Sequence, residues 1–282
     1  MSSISSSLEK NKEHHEILKK AGAIAKKQNL ACYLVGGYVR DTLLNLETSD
    51  IDLMVVGDGI KFAHLLSKSL KTNKVIEFKE FGTAIIPHKN IEIEIASART
   101  ETYSEDSRNP KVSFSSFEND MSRRDFTVNA IAASILPESY GEIHDPFSGI
   151  KDLQKGLIIT PLDPDSTFKD DPLRMLRAIR FSSQLNFNIA PNLIDSISRN
   201  KNRIEIISWE RITNEIIKIL KTKKPSHGFY LLRDTGLLDL ILPEFSIMGG
   251  IETINNMSHK DVFIHTLQVI DNAAELTDKM EV

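Results

Sequence analysis

The spacing of apolar positions changes about halfway along the chain, and the change separates two kinds of structure. Early on, Ile17, Ala21 and Ile24 recur at helical intervals and predict an opening amphipathic helix. Residues 31–35 then read as a buried strand running into Gly36-Gly37, and 39–46 as a short helix. The next strand, 51–56, is closed by Gly57-Asp58-Gly59, after which Phe62, Leu65, Leu66 and Leu70 mark another helix. Three short strands follow at 75–78, 82–87 and 91–95. Polar residues 97–119, which include Pro110, show no clear period and are expected to form a loop, whereas 123–135 are expected to be helical. This succession predicts a mixed α/β domain.

Pro161 and Pro164 mark a boundary, beyond which only helices are expected, at 172–185, 193–199, 210–220 and 228–235. The predicted fold is therefore an α/β N-terminal domain, a mixed sheet with helices, followed by an all-α region. Its divisions fall at 1–28 (N-terminal helix), 29–160 (α/β domain), 161–248 (helical region) and 249–282 (the start of a further helical domain).

Composition narrows the class. At 40% hydrophobic and 26% charged residues the chain falls in the soluble globular range. No apolar run approaches the roughly 20 residues that cross a bilayer, and the N-terminus lacks the apolar stretch of a secretory signal. A cytoplasmic address without membrane association is the expectation. Cys32, the single cysteine, excludes an internal disulfide framework and a thiolate zinc cluster. The net charge of -4 conceals an uneven distribution: residues 169–224 carry twelve Lys or Arg against six Asp or Glu. Such a basic segment suits either a solvated helical surface or an RNA phosphate track.

The candidate chemistry begins at Gly36-Gly37-Tyr38-Val39-Arg40-Asp41, followed one short helix later by Asp50-Ile51-Asp52. Paired glycines let backbone approach a ligand closely, helical amides after them can point at phosphate oxygens, and Arg40 can add charge-assisted bonds. Asp50 and Asp52 flank Ile51, so both acids leave the strand on one face while Ile51 enters the core. Such a pair suits Mg²⁺, with Mn²⁺ acceptable to the same oxygens. Glu92 and Glu94 share a strand face, and either could supply a third carboxylate. Arg124 and Asp125 could bind triphosphate and ribose, although Asp125 could equally cap the helix expected there. In Asp170-Asp171-Pro172-Leu173-Arg174, Asp171 and Pro172 also suit a helix start. Arg174, Arg177 and Arg180 then recur every three residues beside the apolar stripe of Leu173, Leu176 and Ile179.

Five ordered blocks between residues 33 and 245 carry a resemblance: 34–41 with 50–52, 123–130, 144–149, 170–181 and 208–212. Through them the chain resembles class II tRNA nucleotidyltransferases of the bacterial CCA-adding and poly(A) polymerase family. The resemblance implies a nucleotidyltransferase head followed by a helical neck and body. By it, Asp50 and Asp52 are metal ligands, Glu94 rather than Glu92 joins them because its strand ends at Arg99, and Gly36, Gly37 and Arg40 hold triphosphate. Arg124 and Asp125 are implied ribose and phosphate contacts, and Asp171 and Arg174 read the incoming base. Arg177 and Arg180 neutralise phosphate, 144–149 form a flexible lever, and Glu210 and Arg211 brace the base-reading helix. Asp170 stands where the family frequently has Glu.

The implied activity is protein-templated transfer of CMP and AMP, from CTP and ATP, to the 3′ end of tRNA with release of pyrophosphate. The alternatives are a poly(A) polymerase, an enzyme adding only CC or only A, or a truncated RNA-binding fragment with little activity. Residues 259–266 resemble the start of an HD phosphohydrolase-type domain, but no later His-Asp dyad follows His265. A fragment or truncated product is expected on that ground, and His259 and His265 are credited with no metal site.

Overall fold

The structure is a computed structural model that describes residues 3–72, 74–104, 107–249, 253–254, 257–258 and 261–280. The chain divides into two compact units, Met1–Gln154 and Lys155–Val282. In the first, helices α1 (Ser5–Leu8) and α2 (Lys12–Lys27) precede β1 (Ala31–Val35), α3 (Gly37–Leu43), β2 (Ile51–Val56) and α4 (Gly59–Leu70). There follow β3 (Ile76–Phe78), β4 (Thr83–His88), β5 (Ile91–Ser97), β6 (Arg99–Ser104), β7 (Ser107–Phe114), α5 (Phe117–Ser122), β8 (Ala132–Ser134), β9 (Ile143–His144) and α6 (Gly149–Lys155). A seven-stranded sheet has the order β3-β4-β5-β2-β1-β8-β9. Its β2–β5 pair is parallel and its other neighbours are antiparallel, which makes it the mixed sheet expected.

Strand alternation decides what each sheet face carries. On β2, Ile51, Leu53 and Val55 are fully buried in the larger core with Ile17, Leu18 and Ala21 of α2 and Phe62 and Leu66 of α4. Asp52 and Met54 point the other way, where Met54 joins a smaller cluster with Val35, Met121 and Ala132. The acid thus sits on the face with the smaller apolar cover.

Two expectations for this unit are corrected. Residues 123–135 are not a helix: α5 ends at Ser122, a single 3₁₀ turn spans Thr127–Asn129, and β8 pairs with β1 through Tyr33–Ser134, Leu34–Ala133 and Val35–Ala132. Ala130, Ile131, Ala132 and Ala133 are wholly buried, and a continuous apolar run carries no period that separates helix from strand. Residues 97–119 are not a loop either, because β6 and β7 form an antiparallel ribbon. A two-stranded ribbon outside the main sheet satisfies its backbone by mutual pairing and leaves no apolar period to read. Each of its strands has one free edge, which tolerates Pro110.

Helix α2 packs so closely on the end of this sheet that a Cβ at Gly22 would lie 2.0 Å from the Ile135 carbonyl oxygen. Gly22→Ala is expected to destabilise this unit by about 2–3 kcal/mol through overpacking, despite alanine's better helix propensity. A thermal melt should show a midpoint lower by about 5–10 °C.

The second unit comprises β10 (Leu157–Ile158), α7 (Pro164–Asp170), α8 (Leu173–Leu185), β11 (Asn188–Ile189), α9 (Pro191–Asn200), α10 (Trp209–Leu220), α11 (Pro225–Asp234), α12 (Leu238–Ile241), α13 (Pro243–Ser246) and α14 (Val262–Met280). The four expected helices correspond to α8, α9, α10 and α11. Helix α7 was not expected; Asp163 caps it by accepting from Ser166 N at 2.9 Å, with Pro164 in the first turn. Among the described residues no helix is long and apolar enough to cross a membrane.

Candidate active site

Gly36 ends β1 and opens α3 with φ +67° and ψ −134°, a conformation closed to residues with a side chain. A Cβ built there would stand 3.2 Å from Arg124 Nη1 and 3.6 Å from Asp52 Oδ2. The glycine therefore sits in a corner where a guanidinium and a carboxylate converge on bare backbone. Gly36→Ala is expected to push Arg124 aside and to strain this turn by about 1–3 kcal/mol, as read in a thermal melt. Gly37 is roomier, its Cβ position 3.5 Å from Arg40 Nη2.

The carboxylates gather on β2 and β5. Asp52 lies directly opposite Glu94 in the parallel register. Burial first, then the Glu94 charge, pushes the Asp52 carboxyl up to about 6; Asp50 adds to the rise, and Arg124 and Arg40 oppose it. Asp50 precedes the strand, is exposed, and accepts a hydrogen bond from Ser49 Oγ at 3.1 Å. Among the described residues no three His, Cys, Asp or Glu side chains form a group that could hold a metal ion. Glu94 thus stands beside Asp52 as a neighbouring charge. Arg99, which guided that choice of acid, has its side chain outside the described residues, as does His259; His265 is exposed on α14.

Arg40 is buried at 4% exposure and engaged on three sides. Its Nε and Nη2 donate to Asp41 Oδ1 and Oδ2 at 2.8 and 2.9 Å, and its Nη1 donates to Asn129 Oδ1 at 2.7 Å. Asn129 in turn donates to Asp125 Oδ1 at 3.0 Å, and that oxygen also accepts from Phe126 N at 2.8 Å. Arg40 and Asp125, read separately in the sequence, therefore belong to one network that ties α3 to the turn before β8. Buried Asp120 holds both Arg123, at 2.8 Å, and Arg124, at 3.2 Å. Asn129 and Asp120 were missed as participants; Asn129 lies within the quoted block 123–130, but nothing local marks Asp120.

In the helical unit the expected readers start α8. Asp171 Oδ1 accepts from Leu173 N at 3.1 Å, the bond of a helix cap, and Asp171 Oδ2 pairs with Arg211 at 3.0 Å. Arg174, one turn on, is buried at 9% exposure. Arg180 Nε lies 2.8 Å from Glu215 Oε2, and its guanidinium lies 3.9 Å from the Phe181 ring centroid. Arg177 stands over the same ring at 5.4 Å. Two ion pairs thus tie α8 to α10. Arg211 supplies one as expected, but the acid of the other is buried Glu215, whereas Glu210 is exposed.

Comparison with known proteins adds three findings. Residues 32–159 match a family model described as the poly A polymerase head domain, and residues 186–248 match one described as "Probable RNA and SrmB-binding site of polymerase A". The chain is similar to an A-adding tRNA nucleotidyltransferase of Halalkalibacterium halodurans, 34% identical over 82% of this chain and 54% of that protein. It is also similar to a CCA-adding enzyme of Ligilactobacillus salivarius, 38% identical over 78% of this chain and 53% of that protein. The solved apo form II of a CCA-adding enzyme superposes with a TM-score of 0.77 at 30% identity, over 86% of this chain and 58% of that one. Other matched CCA-adding enzymes were solved with ATP, with CTP and with tRNA. The chain spans about half the length of the two curated relatives.

Proposed function

We propose, for a chain that belongs to the poly(A) polymerase and tRNA nucleotidyltransferase family, that it transfers CMP and AMP from CTP and ATP to the 3′ end of tRNA, releasing pyrophosphate. The observation that carries the reading is the corner in which Asp52, Arg124 and the Gly36 backbone converge beside Glu94. The terminal 3′-hydroxyl attacks the α-phosphate, and the bond to the β-phosphate breaks.

Asp50 and Asp52 would hold Mg²⁺, or Mn²⁺ in its place, which would supply Lewis-acid stabilisation of the charge developing on the phosphate. The donor set fits such a cation: the ligands are oxygens, and Asp52 lies opposite Glu94 across the parallel strand pair. Arg124 faces the same corner and would balance triphosphate charge, with Gly36 and Gly37 admitting phosphate close to backbone. Arg40 would act by holding α3 and the Asp125 turn in register, and Asp125 would meet the ribose. Glu94 completes the acidic face.

In the helical unit Asp171 would accept from the amino group of cytosine or adenine, and Arg174 would donate to the adjacent ring nitrogen. Guanine and uracil reverse both groups and leave those partners mismatched. Arg177 would neutralise phosphate, while Arg180, paired with Glu215, would contribute by bracing α8.

One observation favours a second reading, addition of A alone: the similarity to the Halalkalibacterium halodurans A-adding enzyme. Incubation of tRNA lacking CCA with Mg²⁺ and each nucleotide, singly and together, followed by sequencing of the products, separates the two. Complete CCA ends are expected. Extension only of tRNA already ending in CC would establish the A-adding reading, A-tracts a poly(A) polymerase, and binding without extension would sink the transferase proposal.

A further inference from the structure

Asp125 and Asp152 are both buried at the Thr127–Asn129 turn, and only the first has been given a part in nucleotide binding. Asp125 accepts from Phe126 N and from Asn129 Nδ2 through one oxygen. Asp152 comes from α6 and is 9% exposed. Its Oδ2 accepts from the hydroxyl of buried Thr127 at 2.7 Å, across 25 positions of sequence.

Thr127 opens the turn, two residues after Asp125 and two before Asn129. The turn closes through Asn129 N, which donates to the Phe126 carbonyl at 2.9 Å, and Ala130 N, which donates to the Thr127 carbonyl at 3.0 Å. Helix α6 holds Thr127 at two points. Asp152 takes its hydroxyl, and Gly149, three residues earlier on the same helix face, lies so close to its carbonyl that a Cβ would stand 2.1 Å from the oxygen. Asp145 fixes the start of α6 in its turn, its two carboxylate oxygens accepting from Gly149 N at 2.7 Å and Ile150 N at 3.0 Å. An apolar side chain at position 152 would serve packing alone, and burying a carboxylate is costly unless it is hydrogen-bonded. The bond from Thr127 is directional, so it sets how the turn is rotated as well as where it lies. That rotation reaches Asp125 and Arg40 through Asn129, which bonds both, at 3.0 and 2.7 Å.

We propose that Asp152 is a positioning residue: through the Thr127 hydroxyl it holds the turn that presents Asp125 to the sugar of the incoming nucleotide, and so sharpens the choice of ribonucleotide over deoxyribonucleotide. The inference rests on the reading of Asp125 as the ribose contact, but not on tRNA as the acceptor. It gives α6 a part in nucleotide selection, although none of its side chains is assigned to the nucleotide.

The probes are ATP and 2′-deoxy-ATP, each titrated calorimetrically into the full chain with Mg²⁺ and without RNA. The parent should prefer ATP, because a carboxylate that accepts from a sugar hydroxyl loses that partner in the deoxy compound. Asp125→Ala is the reference and should abolish the preference. Thr127→Val replaces the hydroxyl by a methyl group. It should lower the preference about 5-fold, by weakening ATP binding while 2′-deoxy-ATP binds as it does to the parent. Thr127→Ser should restore the preference. Asp152→Leu should match Thr127→Val, and Asp152→Asn, whose amide oxygen can still accept, should recover most of the loss. Should Asp152→Leu fail to fold, the two Thr127 variants decide alone. Thermal melts run alongside identify a purely structural bond: a Thr127→Val protein with a lowered midpoint but the parental preference overturns the proposal. A parent with no preference for ATP removes the ribose reading of Asp125 and this inference with it. A parent that shows the full pattern yet extends no tRNA would leave the positioning role standing and remove the proposed activity.

Discussion

Asp52→Asn should abolish nucleotide incorporation, by about 10³-fold or more, and at the same time make the metal-free protein more stable at neutral pH. The two effects share one cause. In the folded protein the Asp52 carboxyl titrates at about 6 against an ordinary 3.8, because burial and the neighbouring Glu94 charge disfavour ionisation. The folded state therefore holds this proton more tightly than the unfolded state. Stability is lost as pH rises from about 4 to about 6, and the loss persists above that range. Asparagine carries no charge and escapes the penalty, so the variant should gain roughly 1–3 kcal/mol at pH 7.5 and nothing near pH 3.5. Denaturant titrations in EDTA at both pH values measure the gain. Mg²⁺ should close the gap by stabilising only the parent. A variant no more stable than the parent at pH 7.5 would mean that Asp52 is not under this electrostatic strain; a variant that still transfers nucleotide would remove its catalytic role.

What could be read from the chain was whatever repeats locally. Alternation around Ile51 and Leu53 put Asp52 on the face away from the larger core, and the glycine pair marked a turn that only backbone can make. The stripe of Leu173, Leu176 and Ile179 likewise fixed which side of α8 enters the core. What escaped was decided by partners far away in sequence. Residues 130–134 are rich in alanine and favour helix intrinsically, yet they complete the sheet because the free edge of β1 offers backbone partners. Arg40 meets Asn129 across 89 positions, and no spacing announces that a guanidinium read as a phosphate ligand is already held inside the protein. Glu215 repeats the lesson: Glu210 looked the better brace by its motif, but helical rotation carries Glu215 to the buried side. Local pattern thus picked out the candidate residues, and long-range contacts added which of them are held by other side chains.

Arg174→Ala should leave a folded enzyme that transfers nucleotide without distinguishing bases well. Sites that hydrogen-bond a substrate group reject the mismatched analogue by as much as ~10⁴-fold, because buried partners are left unpaired. Removing one of two readers should lower the preference for C and A over G and U by about 10²-fold in kcat/KM. Asp171 survives the change in place, since Leu173 N and Arg211 hold its two oxygens independently of Arg174. Each of those oxygens keeps a second lone pair, so the cap and the ion pair do not prevent it from accepting a base amino group. Arg211→Ala should have a weaker effect of the same kind, freeing Asp171 to rotate while its cap to Leu173 remains. Glu215→Gln should behave otherwise: it removes the charge from the buried Arg180 pair and should lower the thermal midpoint with little change in base preference. Competition assays with all four nucleotides, run alongside thermal melts, separate a reader from a brace. An Arg174→Ala enzyme that still discriminates as sharply as its parent would end the protein-template assignment, and a Glu215→Gln enzyme that loses base preference would show that the two roles cannot be divided between these residues.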